Sequence, residues 1–66
     1  MNVRFPQVKV KLTGEDGNAF AIVGRVIKAM KTAGVEQVFI DQYRAEAMKG
    51  DYDNMLRVSM HYVEVE

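Results

Sequence analysis

Cysteine and tryptophan are both missing from this 66-residue chain, and proline and histidine occur once each. Without cysteine there is no disulfide, no thiol nucleophile and no thiolate to hold a metal. The single histidine, His61, stands two residues from Ser59. That spacing turns the two side chains in different directions on a helix, so they make no nucleophile–base pair. Net charge is missing as well, since nine Lys and Arg balance nine Asp and Glu. A general polyanion binder is basic, so neutrality speaks against nucleic acid as a partner. No apolar run approaches the ~18 residues of a membrane span, and no segment has the character of a secretory leader. The expectation is a cytoplasmic protein without metal or cofactor. What is present is 48% hydrophobic and 27% charged residues, a balance that folds. Residues 1–66 make one small domain, and a chain this short buries only about 60% of its unfolded surface.

Hydrophobic spacing divides the chain into five elements. In residues 7–13, Val8, Val10 and Leu12 alternate with Lys9 and Lys11, the pattern of a half-buried strand, and Pro6 sits where a missing N–H matters little. Residues 14–18 (GEDGN) have turn composition, and Asp16 or Asn18 can cap the first helix. That helix is expected from about residue 18 to 33, with Phe20, Val23, Ile27 and Met30 on its inner face and Ala19, Ile22, Val26, Ala29 and Ala33 widening it. Gly34 ends it as a left-handed cap. A second helix is expected from about 36 to 49, with Phe39, Ile40, Tyr43 and Ala47 inward and Gly50 beyond its end. The last segment fits both periods, but Asp51 after Gly50 reads as an N-cap and favours a helix from about 52 to 61, then a strand at 62–65.

The two ends complement each other. VKVKL near the start and VEVE at the end place valines on one face and set Lys9 and Lys11 against Glu64 and Glu66 on the other. The expected fold is therefore α+β: a small βαααβ domain whose terminal strands pair antiparallel against a helical layer. Two strands over a small core are marginal, so self-association into a homo-oligomer is expected to supply further burial.

Three constellations carry possible chemistry. Asp51, Asp53 and Asn54 hint at a calcium loop, but the fifth, sixth and twelfth positions are Met55, Leu56 and Tyr62, which break the pattern; capping explains the acids better. Residues 29–43 have the outline of a helix-turn-helix, yet the would-be recognition helix carries Glu36, Asp41 and Glu46 against Arg44 and Lys49. Residues 14–28 (GEDGNAFAIVGRVIK) are the most informative. They place glycines before a helix N-terminus, where free N–H groups attract anions. Gly24, with Ala21, Arg25 and Lys28, then makes a small-and-basic stripe beside the apolar face. A turn and a helix–helix contact account for the same residues without a ligand.

The blocks DGNAFAIVGRV at 16–26, AGV at 33–35 and EAMKGDYDNML at 46–56, with the VEVE ending, resemble a family of very small phage- and prophage-encoded proteins, most without an assigned function. Small phage proteins of this kind include the anti-CBASS sponges, which sequester cyclic nucleotide signals as homo-oligomers and so counter host defence. The resemblance implies a non-enzymatic binding protein in the host cytoplasm that takes up a small nucleotide. Its expected ligand-binding residues are Asp16, Gly17, Asn18, Ala19, Phe20, Gly24, Arg25, Lys28 and Tyr52: cations for phosphates, Asp16 or Asn18 for base edges, and Phe20, Tyr43 or Tyr52 for stacking. The alternative is a helical protein-interaction or DNA-binding regulatory module.

Overall fold

The computed structural model describes residues 3–11 and 19–66. Their order is β1 (Phe5–Val10), α1 (Ala19–Thr32), α2 (Gln37–Ala47), α3 (Tyr52–Tyr62) and β2 (Val63–Val65). The turn at 14–18, with Leu12 and Thr13, lies outside the described residues.

Local chemistry sets the boundaries. β1 opens at Phe5 rather than Gln7, and its pairing slips between Phe5 and Lys9, the stretch that contains Pro6. Proline has no N–H to give a ladder, and an irregularity absorbs the gap. α1 ends in a Schellman arrangement: Gly34 has φ +83°, its N–H reaches the Lys31 carbonyl at 3.0 Å, and Val35 N–H reaches that of Met30 at 3.0 Å. α2 stops at Ala47, two residues short of the expected end, with the Met48 N–H bonded back to the Arg44 carbonyl at 3.1 Å and the Lys49 N–H to that of Glu46 at 3.3 Å. α3 is capped by Asp51, whose carboxylate accepts from Asn54 N–H at 2.9 Å.

The strands are parallel, not antiparallel as their sequences suggest. Phe5 pairs with Val63, Lys9 with Glu64 and Val10 with Val65. The end of α3 decides this. Arg4 N–H donates to the His61 carbonyl at 2.9 Å, so the last helix delivers the chain to the start of β1. From there β2 has only one sense in which to run beside it, and Glu66 N–H closes the pairing on the Val10 carbonyl at 2.8 Å. Alternation of period 2 reads the same in either direction, so it assigns the faces of a strand but not its sense.

Val8, Val10 and Val63 turn inward, while Lys9, Lys11, Glu64 and Glu66 stay exposed. The three described helices cover the inner face, through Ile22, Val26 and Met30 of α1, Ile40 and Tyr43 of α2, and Met55 and Tyr62 of α3. Phe20, expected among the inner residues of α1, is 76% exposed; the buried stripe begins half a turn later, at Ile22 and Val23. Phe39, also expected inside, is only half-buried, with its ring against Phe5, centroids 5.6 Å apart. No described helix is long and apolar enough to cross a membrane.

Candidate functional site

An open groove of about 540 Å³ runs between β1 and α1. Its strand wall is Gln7, Val8, Lys9, Val10 and Lys11, and its helix wall is Arg25, Lys28, Ala29, Thr32 and Ala33. Residues from both faces of β1 line it in unbroken succession, which only the edge of a strand can present. This is the edge away from β2, and no other strand pairs with it among the described residues. On the helix the spacing of three and four residues gathers Arg25, Lys28, Ala29 and Thr32 on one side.

Four cations, Lys9, Lys11, Arg25 and Lys28, thus share one groove, and its lining among the described residues contains no carboxylate. The chain as a whole is neutral. The positive field here is a local concentration rather than a general property of the surface. Backbone direction adds to it. Carbonyls alternate sides along a strand, and that of Val10 faces β2, where it accepts from Glu66. The carbonyl of Lys11 accordingly faces the groove, and Arg25 Nη1 donates to it at 3.3 Å. This bond holds the guanidinium at the strand edge, and its planar fork of donors has the geometry that an oxyanion accepts from.

Of the residues the sequence singles out, Arg25 and Lys28 line this groove. Phe20, Gly24 and Lys28 fall on one ridge of α1 at intervals of four, so the exposed Phe20 ring stands roughly 12 Å along the helix axis from Lys28. Nothing lies within 4 Å of where a Cβ on Gly24 would stand, so no described packing within the protomer needs a glycine there. Ala19 is half-buried at the margin of the core. Tyr52, the first residue of α3, is 39% exposed and does not line the groove. Asp16, Gly17 and Asn18 lie outside the described residues.

Lys9, Lys11 and Thr32 join the site without a signal of their own in the sequence. The VKVK alternation places both lysines on the outer face, but the only partners it suggests for them are Glu64 and Glu66. What brings a helix alongside that strand is tertiary packing, which no local pattern contains.

A second polar cluster ties the ends of the chain to the helices. The Tyr62 hydroxyl donates to Glu46 Oε2 at 2.8 Å, and Asn54 Nδ2 donates to the Glu46 carbonyl at 3.0 Å. The Arg4 guanidinium lies 5.0 Å from the Phe39 ring centre and 5.5 Å from that of Tyr62. Burial, and then the carboxylate of Glu46, hold the Tyr62 hydroxyl protonated above its ordinary range, with Arg4 opposing. Ser59 is fully buried: its Oγ donates to the Met55 carbonyl at 2.9 Å and lies 2.7 Å from the Tyr43 hydroxyl. His61 is exposed on the other side of α3. These contacts join elements together.

Comparison with known proteins yields no match: no family model, no curated protein and no solved structure is similar to the chain.

Proposed function

We propose that this chain is a non-enzymatic binding protein that sequesters a small nucleotide, of the cyclic signalling kind, by seating its phosphates in the groove between β1 and α1. One observation carries the reading: four cations converge at a strand edge, with no carboxylate in the described lining, on a chain of zero net charge. Lys9, Lys11, Arg25 and Lys28 neutralise the phosphates, and the exposed ring of Phe20 on the same helix offers a stacking face for a base. Duplex DNA fits less well, because Glu36, Asp41 and Glu46 lie on and beside α2, and a phosphate backbone would meet their charge. The resemblance to phage proteins extends the reading to its setting: a cytoplasmic sponge that removes a host defence signal and needs no catalytic residue.

Calorimetric titration with cyclic dinucleotides, cyclic mononucleotides, pyrophosphate and a short DNA duplex tests this. A cyclic nucleotide is expected to bind more tightly than pyrophosphate or the duplex, and binding is expected to weaken as salt rises. Arg25→Ala and Lys28→Ala should each cost about 1.5–3 kcal/mol of affinity, the range for a hydrogen bond to a charged group. Both are exposed, and their melting temperatures should stay close to wild type. A folded protein that takes up no nucleotide in the panel, or that prefers the duplex, overturns the proposal.

A further inference from the structure

The two-stranded sheet has two outer edges, and their charges say how copies of the chain can meet. Val10 and Glu66 bond to each other across the ladder, so the backbone groups of Lys9 and Lys11 turn away from β2, and those of Val65 turn away from β1. Outward-turned groups of this kind are a template for a further strand. The exposed side chains beside them are lysines on β1 and glutamates on β2.

Three pairings between copies are conceivable. If β1 meets β1 of a second copy about a twofold axis, lysines face lysines and both sets of Arg25 and Lys28 crowd one groove. If β2 meets β2, Glu64 and Glu66 face their own kind. Like charges directly opposite each other destabilise a strand pair. The third pairing sets β1 against β2 of the next copy. It repeats a contact the protomer already makes, Lys9 beside Glu64, and brings the incoming glutamates toward Arg25 and Lys28.

We propose that β2 of a second copy adds head to tail to the outer edge of β1, entering the groove and releasing Arg25 from the Lys11 carbonyl. The contact is heterologous, so copies add one after another and close a ring or extend a filament. The incoming strand occupies the space that the functional reading gives to a nucleotide. Resting on that reading, ligand uptake and assembly exclude each other.

Sedimentation velocity over a concentration series, with a charge-swapped chain beside the wild type, tests this. The swap (Lys9→Glu, Lys11→Glu, Arg25→Glu, Lys28→Glu, Glu64→Lys and Glu66→Lys together) keeps opposite charges across the internal ladder and between the groove and an incoming β2, and is expected to melt cooperatively. Wild type should rise in mass with concentration to two protomers and beyond, and the swapped chain should do the same. In a mixture, fluorescently labelled wild type should assemble with wild type and not with the swapped chain. A wild type that stays monomeric at every concentration overturns the proposal, as does free mixing of the two chains, which places the contact elsewhere. A monomer that binds nucleotide removes the assembly and leaves the functional reading standing. Head-to-tail assembly with no nucleotide uptake does the reverse. Where both occur, saturation with the nucleotide should return the protein to monomer, and assemblies that keep their mass when loaded refute the exclusion.

Discussion

Ser59 shows how one polar side chain can be accommodated in a small core. It is the one buried polar residue among the described residues, in the middle of α3. A serine inside a helix commonly bonds back to the carbonyl four residues earlier, and Ser59 does so with Met55 at 2.9 Å. Oγ also shares a hydrogen bond with the Tyr43 hydroxyl at 2.7 Å, which joins α3 to α2. Ser59→Ala strands a buried phenol and should cost about 1–3 kcal/mol, the penalty for an unsatisfied buried group. Removing both ends of the bond leaves neither group stranded. The pair Ser59→Ala with Tyr43→Phe should therefore lie nearer to wild type than the sum of the two single losses. A denaturant double-mutant cycle measures this, and strictly additive losses would show that the two hydroxyls do not depend on each other.

At the scale of elements, the two faces of β1 make opposite demands on substitution. Val10 is 3% exposed in the core, while Lys9 stands in solvent opposite Glu64. Val10→Asp buries a carboxylate without a partner and should unfold the domain or lower its melting temperature drastically. Lys9→Asp sets like charges across the ladder and should cost no more than about 1 kcal/mol. Comparable melting temperatures for the two variants would deny that β1 is packed on one face. This difference is legible in the sequence because burial on a strand has period 2. The caps are legible too: Asp51 and Gly34 act through their own backbone neighbours, within reach of a local pattern. What local patterns lack is direction and adjacency. The parallel sense of the strands comes from where α3 ends, and the groove comes from α1 lying beside β1. Phe20 fits the apolar period of α1 but lies where the buried stripe has not yet begun. Arg25 and Lys28 can be singled out because they share a helix. Lys9 and Lys11 join them only once the chain is folded.

The whole molecule is held along a line of rings and hydroxyls that links β1, α2 and α3 and leaves α1 aside. Phe5 of β1 stacks with Tyr62 at 6.4 Å, Tyr62 meets Tyr43 edge-on at 5.4 Å, and each tyrosine hydroxyl is bonded, that of Tyr62 to Glu46 and that of Tyr43 to Ser59. Burial raises both hydroxyl pKa values above the ordinary 10; the carboxylate of Glu46 pushes Tyr62 further up, while the bond to Ser59 partly opposes the rise at Tyr43. A raised folded-state pKa means that the unfolded chain gives up these protons first as pH increases. The stabilisation is therefore complete below the unfolded value of about 10 and is lost as pH climbs from there through the folded-state values. Thermal melts from about pH 7 to about pH 11 should hold level to about pH 9 and then fall. Tyr43→Phe and Tyr62→Phe remove the proton in question, so each variant should start from a lower melting temperature but decline less steeply above about pH 10 than wild type. A decline of equal slope in wild type and both variants would place the alkaline sensitivity in other groups, and the buried hydroxyls would then not be what couples this fold to pH.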